Sequence, residues 1–160
     1  FTGKGREYLL RDSLRPIRGM YDYILIDSPP ALGILTVNAF TAADWVLMPV
    51  LSDLYSLQGI VQLNETLQAV RSKSNPDVKV AGILLTRFNP RECISSVIRE
   101  TSADIARELN IPLLHTCIHT GVALTRAQIM RADMTAMAPK SRAVQDYADL
   151  LDELFRREVL

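Results

Sequence analysis

The sequence predicts an α/β fold, a layered sheet of mostly parallel strands flanked by helices. Three observations predict it. Short apolar runs such as Ile24–Ile26 show no polar alternation, as strands covered on both faces do. Segments of helical period separate these runs, and alternating strands and helices imply parallel strands joined by right-handed crossovers. No internal repeat and no linker rich in Gly, Ser or Pro divides the 160 residues, so a single domain over residues 1–160 is expected.

The elements follow in order. Tyr8, Leu9, Leu14 and Ile17 recur at helical spacing among Arg6, Arg11, Arg15 and Arg18, an amphipathic helix ending near Gly19, where glycine takes a left-handed cap. Ile24–Ile26 is the first strand. Residues 32–43 read as a short helix and Trp45–Val50 as a second buried strand. Residues 54–73 carry Leu57, Ile60, Val61, Leu63, Leu67 and Val70 on one helical stripe. Ser74-Asn75-Pro76-Asp77 is a turn. Val78–Thr86 is a third strand, followed by the loop Arg87–Arg91. Residues 94–109 are helical, Leu113–Ile118 a fourth strand, and residues 121–137 one or two short helices. A final amphipathic helix carries Val144, Tyr147, Leu150, Leu151 and Leu154.

The first strand organises the chemistry. Asp27 follows it at once, and Ser28-Pro29-Pro30 cannot continue a strand. The carboxylate then stands at the carboxyl end of a buried strand, where open α/β sheets bind ligands. An acid there suits Mg²⁺, directly or through water, beside a nucleotide phosphate. It equally suits a plain strand end with Asp27 facing solvent. Arg87 and Arg91 are expected at the same sheet edge, where a guanidinium stacks on a base or pairs with phosphate.

Composition excludes several classes. Apolar residues make up 48% of the chain, and no run approaches the roughly 18–20 residues of a membrane span. Lys+Arg and Asp+Glu are equal at 18 each, so nucleic-acid binding would need a local patch. Cys93 and Cys117 form no CxxC pair and no secretory signal is visible, which points to a reducing cytoplasm. Gly3-Lys4-Gly5 is no P-loop, because GxxxxGK[ST] is absent. His115, Cys117 and His119 alternate on one strand face. At ~3.3 Å per residue the two histidines stand ~13 Å apart, too far for ligands that lie about 2.0–2.3 Å from one zinc. A half-buried strand face is the reading. Ser28 lacks a GxSxG elbow, and no local signature supports Cys93 as a nucleophile.

The block YDYILIDSPPALGILTVNAFTAADWVLMPV resembles the Walker B region of the ParA/Soj partition ATPases, relatives of MinD with a deviant Walker A loop. The resemblance continues through Ser56-Leu57-Gln58-Gly59, GILLTRFNPR, the segment ending ALTRAQ, and APKSRAVQDYADL. It implies a P-loop-NTPase-like sheet and an ATP- and Mg²⁺-dependent switch. In that switch an ATP-bound homodimer binds duplex DNA without sequence preference, and a ParB-like partner triggers hydrolysis. Asp27 matches the family's Walker B aspartate, catalytic and Mg²⁺-holding through water. Thr86 and Arg87 fall where relatives border the adenine. Ile118 and His119 fall on another wall of the base pocket, with His119 in place of a usual proline, and Pro139 completes the set. The family's DNA-contacting arginine falls at Ala123, with Arg126 one helical turn on; Arg99, Arg126 and Arg131 are the DNA-binding candidates.

The family's lysine-rich Walker A loop is not among these residues, and Phe1 is not Met. The chain is therefore expected to be the C-terminal portion of such an ATPase, inactive by itself, from a cytoplasmic, nucleoid-associated protein. Two rivals remain: a MinD-like membrane-associated regulator, and an α/β interaction module without ATPase activity. The acids Asp149, Asp152, Glu153 and Glu158 disfavour stable membrane association.

Overall fold

The computed structural model describes residues 5–29, 31–92 and 94–160. Phe1, Thr2-Gly3-Lys4, Pro30 and Cys93 lie outside them. The elements run 3₁₀ (Arg6–Tyr8), α1 (Leu9–Leu14), α2 (Ile34–Ala42), β1 (Trp45–Leu51), α3 (Leu54–Lys73), β2 (Lys79–Phe88), α4 (Ile94–Glu108), β3 (Leu113–His119), α5 (Val122–Met130), α6 (Met134–Met137) and α7 (Arg142–Arg156). The strands form one parallel three-stranded sheet in the order β1-β2-β3. The chain resolves into two compact units, one of Phe1–Val46 with Gly59–Val80, the other of Leu47–Gln58 with Ala81–Leu160.

In the first unit the helix at the start ends at Leu14, five residues short of Gly19. Pro16 has no N–H to extend the ladder, and the chain continues in turns through Ile17 and Met20. Asn38 ties this helix to α2. Its Oδ1 accepts the Leu10 N–H at 3.0 Å, and its Nδ2 donates to the Arg6 carbonyl at 2.8 Å. Asn75, in the turn after α3, donates to the carbonyls of Phe40 and Ala43 at 2.9 and 2.8 Å. These are carbonyls that the end of α2 leaves without intrahelical donors. Leu67 and Val70 are buried beside this turn sequence, and Arg71 Nε donates to the Val78 carbonyl at 2.9 Å.

The predicted strand at Ile24–Ile26 does not form. Residues 21–29 carry no regular secondary structure, and Leu25 is 91% exposed. An apolar run becomes a strand only where a neighbour closes its backbone hydrogen bonds. No described strand lies alongside this one: the sheet contains β1, β2 and β3 and nothing before them.

In the second unit Asp53 opens α3, accepting the Ser56 N–H at 2.7 Å and the Ser56 hydroxyl at 2.9 Å. β2 is the central strand, buried from Ala81 through Leu85. The cores of α4 and β3 supply Ile98, Ala106, Leu114 and Ile118. α7 buries Ala143, Asp146, Leu150, Glu153 and Leu154. This stripe is rotated from the apolar one the sequence suggests, since Tyr147 and Leu151 are 42% and 49% exposed. Two carboxylates take core-facing positions because the β3 edge offers them backbone donors.

Candidate functional site

β2 and β3 pair in parallel, with Thr86 opposite Ile118 and Phe88 opposite His119. The Thr120 N–H then donates to the Phe88 carbonyl at 3.1 Å. The carboxyl ends of the two strands thus bring together Thr86, Arg87, Ile118 and His119, all candidates for a base pocket. This is the sheet edge at which ligands bind in open α/β folds. Thr86 is fixed from below: its hydroxyl donates to the Val50 carbonyl at 3.0 Å, and its own carbonyl accepts from Ser52 N–H and Oγ. Arg87 is exposed and has φ 52°, so the chain turns sharply there. Ile118 is buried. Arg91 and Pro139 are both exposed, Pro139 in the turn joining α6 to α7.

His119 is held from α7. Asp146 Oδ2 accepts the His119 N–H at 2.8 Å and lies 3.0 Å from the ring Nδ1, while Oδ1 pairs with Arg142 Nε at 2.8 Å. Two turns further along α7, Glu153 accepts the N–H groups of His115 and Thr116. Successive N–H groups face one carboxylate because β3 is bulged: the register jumps from Ile83–Leu113 to Leu85–Cys117. The bulge also breaks the alternation expected for His115, Cys117 and His119, which are exposed, buried and half-buried in turn. Sequence reasoning missed Asp146 and Glu153 as anchors. They stand seven apart, in register with Ala143 and Leu150, but an acid in an amphipathic helix ordinarily marks the solvent face, so the spacing alone does not single them out.

Arg99 Nη1 donates to Cys117 Sγ at 3.1 Å and Nη2 to the His115 carbonyl at 3.3 Å. Burial pushes the Cys117 thiol up, and the Arg99 charge opposes that shift. Arg99 is thus engaged with β3, whereas Arg126 on α5 and Arg131 at its end are exposed.

Asp27 is exposed in the irregular segment 21–29, not at the end of a strand. In its own unit it lines a mainly apolar cavity of about 560 Å³, with Leu9, Ser13, Ile26, Ile34 and Asn38. Among the described residues no group of three His, Cys, Asp or Glu side chains is placed to hold a metal ion. One carboxylate suits an Mg²⁺ carried in on a nucleotide phosphate, which needs one or two protein ligands. It does not suit a freestanding metal site. At the β2 and β3 ends Arg87 is exposed and His119 half-buried, while Ile118 is buried and the Thr86 hydroxyl is spent on the Val50 carbonyl. No GxxxxGK[ST] loop occurs in the 160 residues to cradle a nucleotide's phosphates.

An AAA domain family model matches residues 1–80. The chain is 38% identical over 154 residues to the chromosome partitioning protein ParA of Myxococcus xanthus, covering 96% of this chain and 53% of that protein. It spans about half the length of the curated relatives it matches. Among solved structures, cobyrinic acid a,c-diamide synthase of Mycobacterium smegmatis with bound ADP and magnesium superposes with TM-score 0.72 at 30% identity, over 97% of this chain and 56% of the other. Apo McdA from Cyanothece reaches TM-score 0.81 at 17% identity, over 93% and 59% respectively, a likeness of fold alone. The chain belongs to the AAA domain family and, within it, to the ParA-type partition ATPases.

Proposed function

We propose that this chain forms part of an ATP-driven partition switch, in which ATP and Mg²⁺ promote a homodimer that binds duplex DNA without sequence preference. The observation that carries the reading is the register of Thr86 with Ile118 and of Phe88 with His119, at the carboxyl ends of parallel strands. The identity to a chromosome partitioning ParA over 96% of the chain supports the same reading. In it, Thr86, Arg87, Ile118 and His119 border the base, and Asp27 holds Mg²⁺ through water. Residues beyond these 160 cradle the phosphates, and a ParB-like partner stimulates turnover in a cytoplasmic, nucleoid-associated protein.

Arg126 and Arg131 supply the DNA contacts, with Arg99 a lesser contributor because its guanidinium already serves β3. Contacts of this kind go to phosphates, so they position the protein without reading bases. Calorimetry of the 160-residue chain should show no specific ATP binding at micromolar concentration. A saturable, Mg²⁺-dependent, one-to-one isotherm would mean that these residues cradle the phosphates themselves.

A further inference from the structure

We propose that α7 locks the outer edge of β3: its two buried carboxylates hold the backbone donors through which that edge would otherwise pair with the β3 edge of a second copy. The contact is autoinhibitory, and it does not depend on nucleotide.

β3 is the last strand in the order β1-β2-β3, so one side of it faces β2 and the other meets no described strand. An open edge is a template for pairing with another chain, and proteins guard such edges with lysine, proline or charge on the strand itself. Leu113–His119 carries no lysine, no proline and no acid. Its guards come from the neighbouring helices. Glu153 accepts the N–H groups of His115 and Thr116, and Asp146 accepts that of His119 at 2.8 Å. From α4, Arg99 donates to the His115 carbonyl at 3.3 Å. An incoming strand both accepts and donates along its length. A carboxylate only accepts, so it satisfies the donors and ends the ladder there.

Ordinary helix packing does not call for these acids. Asp146 and Glu153 are 1% and 5% exposed, in the same α7 stripe as Ala143, Leu150 and Leu154. A buried carboxylate is costly unless it is paired and hydrogen-bonded, and Arg142 and Arg157 complete the pairing. Two turns apart on one helix, the acids fasten α7 to β3 at two points. A groove of about 550 Å³ borders the same edge, lined among others by Arg99, His115, Thr116, Cys117 and His119. The edge therefore lies beside solvent once α7 lifts. The occupant is a second copy because every copy brings the same unguarded strand. Two such edges pair antiparallel about a two-fold axis through main-chain bonds alone.

The test uses the whole protein without nucleotide. In the unaltered protein the amides of His115, Thr116 and His119 should exchange slowly with deuterium, although no strand pairs with them. Fast exchange at any of the three overturns the lock. In the double variant Asp146→Ala with Glu153→Ala they should exchange about tenfold faster in dilute solution, the worth of one hydrogen bond. At higher concentration sedimentation should show a dimer, with the same three amides protected again. A folded double variant that stays monomeric overturns the proposal. So does a dimer in which the three amides still exchange fast, since its contact lies elsewhere. If the double variant fails to fold, Glu153→Ala alone leaves the contacts of Asp146 in place. It should release His115 and Thr116 but not His119, and dimerise at higher concentration. Unchanged protection of those two amides, or a monomer at every concentration, overturns the proposal.

Discussion

Glu153 takes the backbone N–H groups of His115 and Thr116 one on each carboxylate oxygen, both at 2.9 Å. β3 is a terminal strand of the sheet, and Glu153 closes donors there that no further described strand meets. Burial by itself pushes this carboxyl up. The two N–H groups, with Arg157 at 3.0 Å, outweigh it and hold the group at about 2 against an ordinary 4.5. A depressed folded-state value contributes stability that is complete above pH 4.5 and is lost as pH falls through about 2. Glu153→Gln should lower stability at neutral pH by on the order of 3 kcal/mol. Its acid unfolding should lose most of the pH dependence in that window. Denaturant melts of both proteins at neutral and acid pH measure this, and parallel curves would show Glu153 to be a bystander.

Gly82 governs how closely β2 and β3 approach. Its φ is +151°, and a Cβ there would lie 2.8 Å from Leu114 Cδ2 and 3.0 Å from the Pro112 carbonyl oxygen. The Ile83 N–H donates to that same carbonyl at 2.8 Å, so the backbone cannot retreat without breaking the ladder. Gly82→Ala should cost about 1–3 kcal/mol. The thermal midpoint should fall accordingly; an unchanged midpoint would mean that the strands part without cost.

Asn75 closes the end of α2 from a distance in sequence. Its amide serves carbonyls more than thirty residues away, those of Phe40 and Ala43. Asn75→Ala should cost about 1–3 kcal/mol, since it leaves acceptors without donors. Asn75→Asp should be at least as harmful, because a carboxylate offers no donor and faces carbonyl oxygens. Equal stability of Asn75→Asp and the unaltered protein would exclude the amide as the active group.

Most elements were legible in the sequence, and the reasons differ. α3 reads as residues 54–73 because four of its six stripe residues, Leu57, Ile60, Leu67 and Val70, are buried at one helical period. β2 reads because a buried central strand is apolar along its length. Ile24–Ile26 has the same composition and forms no strand, because a strand's partner is not written in the strand. The candidate site divides in the same way. Thr86 and Ile118 come together through sheet register, which strand order implies. Asp146 and Glu153 did not announce themselves, since an acid in an amphipathic helix normally marks the solvent face.

Arg126 and Arg131 provide the test of the DNA reading. Both are exposed and neither is tied into β3 as Arg99 is. In the whole protein the double alanine variant should dimerise normally and bind duplex DNA more weakly. The slope of log K against log salt should flatten by about 0.9 for each phosphate that is no longer neutralised. Duplexes of equal length and different sequence should bind alike. Binding curves that overlay those of the unaltered protein from low to moderate salt would place the DNA face elsewhere.

In the function proposed, Asp27 serves an Mg²⁺-nucleotide from a segment that forms no strand. Its exposure predicts that Asp27→Ala leaves the fold and melting temperature nearly unchanged. Mg²⁺-dependent ATP hydrolysis by the whole protein carrying Asp27→Ala is the most direct measurement. The expected result is turnover reduced by about a hundredfold or more at undiminished stability. Near-normal turnover at saturating Mg²⁺ would contradict the proposed role and remove Asp27 from the site.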